Sequence, residues 1–431
     1  MKKFGTDGIR GIVNSDLDKD TIFFAGKALA EMSDFKKILV ARDNRTSGEY
    51  VVSLFISGLL AGGANVYDVG YLSTPGVSYL TKFYGYDFGV MISASHNPPE
   101  YNGIKIFNSS GKKIDTDEEK RIEQKMENTT FKNIFGKYKS VPYQKEKYFD
   151  YIKKIGLKPK NITLLADLSN GVTSFYAKNL FNGIEVNVIN NNPDGRFINK
   201  NAGILYPEIL LEKKKETGSD FALAVDGDGD RIMIIDRYNN ILSGDHILYI
   251  LSYYFKRYYK INCVVGTIQT NLGIEKALNS LGINLIRSDV GDKNVINEIC
   301  KNHLLIGGEQ SGHIIIKEYL PTGDGLLAGI ITLGIITELE NNNEYKNMIS
   351  GIKIMPQLTE NYAFINPDIL NVKEVSDFIK NKKLLAGNDY RIIVRKSGSE
   401  NVIRVTSEGR DELINKNNVD EIIKKLVEYD N

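Results

Sequence analysis

The stretch Phe221-Ala222-Leu223-Ala224-Val225-Asp226-Gly227-Asp228-Gly229-Asp230-Arg231-Ile232-Met233-Ile234-Ile235-Asp236 sets two short apolar runs on either side of an acidic, glycine-rich loop. Each run has the length and composition of a buried strand. Three carboxylates at i, i+2 and i+4 repel one another unless a cation joins them. The two glycines let the backbone bend tightly enough for all three to converge. All-oxygen donors of this kind suit Mg²⁺, Mn²⁺ or Ca²⁺. An EF-hand loop begins similarly, but needs glycine where Arg231 stands and an acidic residue where Arg237 stands. It fails at both. An acidic turn without an ion is the plainer alternative. Arg231 beside the carboxylates suggests that an anionic ligand visits a metal held there, so Asp226, Asp228 and Asp230 are candidate metal ligands.

Outward from this point the same rhythm repeats: an apolar run, a glycine-containing turn, then a helical pattern. Residues 37–41, 64–69, 88–93, 162–167, 262–267 and 304–307 read as further strands, and 50–60 as a helix. Short continuous apolar runs alternating with helices predict α/β layers with mostly parallel strands. The polar, Lys-rich stretch 123–147, the turn at 237–240 and the Asn-rich segment 340–346 mark unit boundaries. They divide the chain into three α/β units, 1–140, 141–238 and 239–354, and a smaller α+β unit, 355–431.

The length of 431 residues agrees, since about 100–200 residues per domain predicts two to four domains. With 42% hydrophobic and 25% charged residues the chain is a globular protein, not a disordered one. Fifty-five Lys+Arg against 54 Asp+Glu give a formal charge of +1, which excludes a broadly basic chain that coats nucleic acid or anionic membrane. Two cysteines, Cys263 and Cys300, build neither a disulfide framework nor a zinc set. Met1-Lys2-Lys3-Phe4-Gly5 runs straight into charged sequence, so no signal peptide is expected. The apolar stretch 325–337 is too short and glycine-rich to span a membrane and reads as a buried helix. A cytoplasmic protein is the expectation.

Three more loops carry chemistry. Ser93-Ala94-Ser95-His96-Asn97-Pro98-Pro99 ends an apolar run and precedes Asn102-Gly103-Ile104-Lys105. A serine, an adjacent histidine and a lysine ten residues on can supply a nucleophile with acid/base help; a structural Pro-bearing turn is the alternative. Gly307-Gly308-Glu309-Gln310-Ser311-Gly312-His313 interleaves Glu309, Ser311 and His313 with glycine, a loop suited to sugar hydroxyls or simply a glycine turn. Arg395-Lys396-Ser397-Gly398-Ser399-Glu400-Asn401, with Arg404 after it, offers what a phosphate dianion needs: two arginines, two hydroxyls and exposed backbone N–H groups. No P-loop motif exists, and Gly323-x-Gly325-x-x-Ala328 is a chance match to a dinucleotide fingerprint because Pro321 occupies its strand. Metal, nucleophile, hydroxyl reader and phosphate clamp together describe phosphoryl transfer on a phosphorylated sugar.

These four motifs, in this order and spread over nearly the whole chain, resemble the α-D-phosphohexomutase superfamily. The opening Phe4-Gly5-Thr6-Asp7-Gly8-Ile9-Arg10-Gly11 resembles that family's N-terminal segment, which supplies an active-site arginine, here Arg10. The resemblance implies three related α/β units plus a C-terminal α+β unit bearing the phosphate loop. It implies that Ser95 carries the phosphoryl group, that Ser95, Asp226, Asp228 and Asp230 hold Mg²⁺, and that Arg10, His96 and Lys105 surround the reacting groups. Arg231, Glu309, Ser311 and His313 would bind substrate, and Arg395, Ser397, Gly398, Ser399 and Arg404 would clamp its non-reacting phosphate. The substrate would be a hexose or hexosamine monophosphate, with a sugar 1,6-bisphosphate as intermediate and activator; a homodimer stays open. The motifs resemble most closely the branch acting on glucosamine phosphates. Branches acting on glucose and mannose phosphates share much of the pattern, and a non-catalytic sugar-phosphate binder is the remaining alternative. Two departures stand out: Lys293 where that branch has arginine, and Ser399 with Glu400-Asn401 where threonine and Glu-Pro are usual. Lysine keeps the charge but loses the bidentate fork.

Overall fold

Four sheets follow one another along the chain in a computed structural model that describes residues 4–5, 7–32, 36–131, 133–181, 183–397 and 401–430. The first contains β1 (Ile9–Ile12), β2 (Lys37–Arg42), β3 (Asn65–Tyr71), β4 (Phe88–Ile92), β5 (Tyr101–Asn108) and β6 (Tyr138–Ser140), in the order β1-β5-β4-β2-β3-β6. Its strands β4, β2, β3 and β6 run parallel, while β5 and β1 add antiparallel beyond β4. The continuous apolar run of β2 has a direct cause. Ile38 and Val40 point into a core with Ile22, Leu29 and Phe55, whereas Leu39 and Ala41 join a second core that continues into the later units. A strand covered on both faces has no polar side to show.

The second sheet holds β7 (Thr163–Asp167), β8 (Glu185–Ile189), β9 (Phe221–Val225), β10 (Ile232–Ile235) and β11 (Ile241–Leu242), ordered β11-β10-β9-β7-β8. The third holds β12 (Cys263–Thr267), β13 (Asn284–Ser288), β14 (Ile306–Gly308) and β15 (Ile314–Ile316), ordered β13-β12-β14-β15. The sheets are mixed in a consistent way: parallel strands at the centre, then an antiparallel hairpin at one side. The expectation of mostly parallel strands describes their centres, and the second sheet is evenly divided between the two modes. The Lys-rich stretch read as an exit from the first unit carries β6, which still pairs with β3.

The helix Gly325–Asn341 is buried nearly all round, as its unbroken apolar composition requires, and places Ile330, Leu333 and Ile336 in the large shared core. Asp324 caps it by accepting from the Leu327 N–H at 3.0 Å, and also accepts from the Tyr148 hydroxyl at 2.7 Å. No helix among the described residues is long and apolar enough to cross a membrane.

The fourth sheet, β16 (Gln357–Ala363), β17 (Tyr390–Lys396) and β18 (Val402–Gly409), is antiparallel throughout in the order β16-β18-β17. It packs with the helices Lys373–Ala386 and Glu412–Tyr429 around a core of its own that includes Ile369, Val375, Ile403 and Val419. Polar contacts join it to the third unit: the Leu272 N–H donates to Glu408 at 3.0 Å and Arg391 donates to the Thr270 carbonyl at 2.8 Å. A separate core behind a polar junction is what lets a unit turn as a body.

Replacing Ile330 with Ala should lower stability by about 2–5 kcal/mol through a cavity in the shared core. Replacing the exposed Leu385, 83% accessible, should change it by less than about 0.5 kcal/mol. The shift of the urea unfolding midpoint reads both.

Candidate active site

The loops singled out in the sequence occupy equivalent places. Residues 93–100 turn β4 into β5, 226–231 turn β9 into β10 and 309–313 turn β14 into β15, while the fourth motif falls between the paired strands β17 and β18. Each of the first three is the turn of an antiparallel hairpin, and the metal loop joins two strands as its flanking apolar runs predict. Lys105 therefore sits inside strand β5, opposite Met91, and its direction is set by the sheet.

Ser95 is fully buried and adopts a left-handed backbone, φ 54°. Its hydroxyl donates to Asp226 Oδ2 at 2.6 Å, across the boundary between the first two units. Asp226, Asp228 and Asp230 converge as the loop spacing predicts, with one oxygen from each within 4.8 Å of the others and all three side chains buried. Gly229 makes the bend: it has φ 75°, and its N–H donates to the Asp226 carbonyl at 3.0 Å. Lys105 Nζ lies 2.7 Å from Asp228 Oδ2 and 3.0 Å from Asp230 Oδ2.

The charges do not share this space comfortably. Burial, then repulsion from Asp230 and Asp228, pushes the Asp226 carboxyl well above its ordinary range. Burial also opposes ionisation of Asp230, but Lys105, His313 and Arg231 outweigh it and hold that carboxyl low. Lys105 is raised because Asp228, Asp230 and Asp7 overcome its own burial. Asp228 Oδ1 and Asp230 Oδ1 are buried without a hydrogen-bond partner among the described residues. Unpartnered buried carboxylate oxygens, aimed together and hard in character, fit a divalent cation.

Arg10, on β1, donates to the Ala94 carbonyl at 3.3 Å and to Asn97 Oδ1 at 3.2 Å, so it flanks the serine loop. Asp7 pairs with Arg10 and Lys113 and lies 3.5 Å from Lys105. Lys113 reaches on to Asp292 at 2.5 Å. Neither Asp7 nor Lys113 was singled out by its residue pattern; Gly111-Lys112-Lys113 looks like a solvated turn. Burial, Arg231 and Arg10 push the His96 imidazole down to about 3, leaving it neutral near neutral pH.

In the third loop Glu309 accepts from the Gly291 N–H at 2.9 Å, Ser311 is exposed, and His313 is buried with Nε2 3.4 Å from Asp292. Gly312, at φ 92°, carries the carbonyl that accepts from the Ile232 N–H at 3.0 Å, which ties this loop to the strand after the aspartates. Arg231 is half-buried beside Asp230, and its backbone N–H donates to Asp226 Oδ1 at 3.1 Å. Lys293 points elsewhere and pairs with Glu119 of the first unit at 2.6 Å.

In the fourth loop Arg395 and Arg404 stand directly opposite each other on β17 and β18, and the Ser397 N–H donates to the Val402 carbonyl at 2.8 Å. Burial, then Arg404, pulls the Arg395 guanidinium down from its ordinary range. Like charges facing across a sheet are unfavourable unless an anion lies between them. Gly398 and Ser399 lie outside the described residues.

Comparison with known proteins agrees with this architecture. Residues 1–133, 146–239 and 243–351 match the phosphoglucomutase/phosphomannomutase α/β/α domains I, II and III respectively. A phosphoglucosamine mutase of Thermotoga neapolitana is 38% identical over 99% of this chain and 98% of its own. One of Staphylococcus haemolyticus is 38% identical over 95% and 94%. Among solved structures, a phosphoglucomutase/phosphomannomutase family protein of Burkholderia thailandensis superposes with a TM-score of 0.84 at 23% identity, covering 99% of this chain and 97% of that one. An Aspergillus fumigatus N-acetylphosphoglucosamine mutase in complex with GlcNAc-6P and magnesium gives 0.67 at 15% identity, covering 100% and 96%.

Titration with Mn²⁺, followed by the loss of its free-ion paramagnetic resonance signal, should report one cation per chain. Asp228→Asn should weaken that binding by more than the roughly 10–100-fold that loss of an outer-shell partner costs.

Proposed function

The chain belongs to the phosphoglucomutase/phosphomannomutase family of α-D-phosphohexomutases, and from that premise we propose that it interconverts glucosamine 6-phosphate and glucosamine 1-phosphate. The observation that carries this reading is the Ser95 hydroxyl, 2.6 Å from a buried carboxylate triad and within one cluster with Lys105. The choice of amino sugar rests on the phosphoglucosamine mutases that are 38% identical over almost the whole chain. Units 1–140, 141–238, 239–354 and 355–431 each supply one loop.

Ser95 carries the phosphoryl group. Phosphoserine passes it to the free hydroxyl of the monophosphate: the P–O bond to Ser95 breaks, a P–O bond to the sugar forms, and the hydroxyl proton passes, with His96 or Lys105 assisting, to the departing serine oxygen. The resulting 1,6-bisphosphate turns around, and its other phosphoryl group returns to Ser95, releasing the isomeric monophosphate. Asp226, Asp228 and Asp230 would hold Mg²⁺ together with the Ser95 oxygen, and the cation would neutralise charge on the phosphoryl group. Lys105, held protonated by the aspartates, gives hydrogen bonds to phosphoryl oxygens and to the serine oxygen as it leaves. His96, held neutral, has a buried Nδ1 without a hydrogen-bond partner among the described residues and would assist the proton transfer. Arg10 and Arg231 border the same space and offset the dianion.

Substrate positioning falls to the other loops. Glu309 and Ser311 read sugar hydroxyls, and His313, in the same loop, adds to substrate binding. Arg395, Ser397, Gly398, Ser399 and Arg404 clamp the phosphate that is not reacting. Such clamping supplies much of the rate in phosphoryl transfer, because the bond-making itself asks little covalent chemistry of the protein.

Ser95→Ala should abolish mutase turnover while leaving the thermal unfolding curve unchanged. Arg395→Ala should raise KM for glucosamine 6-phosphate by about 10- to 100-fold, the equivalent of the roughly 1.5–3 kcal/mol of a hydrogen bond to a charged group. In a side-by-side assay with Mg²⁺ and a sugar bisphosphate, kcat/KM for glucosamine 6-phosphate should exceed that for glucose 1-phosphate and mannose 1-phosphate. Preference for either neutral sugar would keep the chemistry and overturn the amino-sugar assignment.

A further inference from the structure

Ser95 holds a backbone conformation, φ 54°, that a residue with a Cβ adopts at a cost of roughly 1–3 kcal/mol and keeps only where its surroundings over-determine it. Two side chains from distant parts of the chain do so. Arg45, buried at the C-terminal end of β2, donates to the carbonyls of Ser95 and Asn97 at 2.8 Å each and to Tyr101 at 2.9 Å, and also bonds the Pro98 carbonyl. Its guanidinium is aimed by Asp43, 3.0 Å from Nε. Asp43 also accepts from the Ser93 hydroxyl at 2.6 Å, whose oxygen in turn accepts from the Ser95 N–H at 2.9 Å. Asn199, from the second unit, donates to the same two carbonyls, Ser95 at 2.8 Å and Asn97 at 3.0 Å.

Asn199 is itself fixed to the acidic loop's surroundings. Its N–H donates to the Ser169 carbonyl at 2.8 Å, and a Cβ on Gly227 would stand only 2.9 Å from its Nδ2. One amide therefore references the serine loop to the backbone that carries Asp226. We infer that Arg45 and Asn199 are positioning residues for phosphoryl transfer: together they clasp the Ser95 and Asn97 carbonyls, hold Ser95 in its left-handed conformation, and so set its hydroxyl against Asp226. Without the clasp the backbone relaxes toward right-handed geometry and the oxygen withdraws from the carboxylates. The bonds that Arg45 and Asn199 give go to loop carbonyls and to Asp43, not to the carboxylates of Asp226, Asp228 and Asp230, which stay available as metal donors when the clasp is removed.

The inference rests on the phosphoserine reading above, and the test separates the two. Asn199→Asp is near-isosteric but turns a donor toward two carbonyl oxygens into an acceptor; Arg45→Lys keeps the buried charge and loses the fork. Both are assayed beside wild type with glucosamine 6-phosphate, Mg²⁺ and a saturating sugar bisphosphate, below the lowest melting temperature of the set. Misplacement of a reacting atom by about 1 Å predicts that kcat falls by about 100-fold in each variant, with KM and the Mn²⁺ dissociation constant within about threefold of wild type. Wild-type kcat in either variant overturns the clasp. So does a fall in kcat matched by a rise in KM and a loss of Mn²⁺ binding, which is what general loosening of the cleft gives. An inactive wild type would instead remove the mutase reading itself.

Discussion

Three carboxylates gathered within a few ångströms, shielded from water, set the terms for everything around them. Water cannot screen Asp226, Asp228 and Asp230 from one another, so the fold has to supply positive charge and hydrogen-bond donors on all sides. Lys105 comes from the first unit, Arg231 from the loop itself, and the Ser95 hydroxyl takes one oxygen of Asp226. What is left over, a pair of buried oxygens without donors, is room for a cation. The same group of atoms that would repel in an empty cavity becomes a place where a phosphoryl group, itself strongly anionic, can be received and given up.

The hairpins explain how one chain assembles such a place. Each of the three α/β units ends its parallel core in an antiparallel pair, and the turn of that pair is where the chemistry sits. Because strands on either side of each turn are locked in a sheet, the turns meet as rigid edges: the Ser95 hydroxyl joins the first to the second at Asp226, and the Ile232 N–H, where the second turn enters β10, donates to the Gly312 carbonyl of the third. The fourth turn belongs to a unit with its own core and a polar junction. On the proposed reaction, rigid geometry beside Ser95 and a separable body bearing Arg395 and Arg404 would suit a substrate that must turn around without escaping.

Much of this was legible before any coordinates. Glycine-rich loops that interrupt buried apolar runs are visible in a sequence because three aspartates between two core strands are costly to bury without a cation. Asp226, Asp228, Asp230 and Ser95 come together as their motifs suggest. The antiparallel course of β5 is not legible, because a lysine inside a buried strand makes sense only once Asp228 and Asp230 are seen beside it. Arg45 and Asn199 escaped for a related reason. Their partners lie 50 and 104 residues away, and Asp43-Asn44-Arg45 on its own is an ordinary polar turn. Lys113 is buried only because Asp7 and Asp292, 106 and 179 residues away in the chain, pair with it.

The central claim is that Ser95 receives and returns a phosphoryl group beside the carboxylate triad. Peptide mapping by mass spectrometry, after incubation of the intact protein with Mg²⁺ and glucose 1,6-bisphosphate, tests it most directly. Phosphate on the peptide carrying Ser95, lost again when excess glucosamine 6-phosphate is added, is the result this account predicts. Phosphate on another residue, or none on a chain that still turns over substrate, would contradict it.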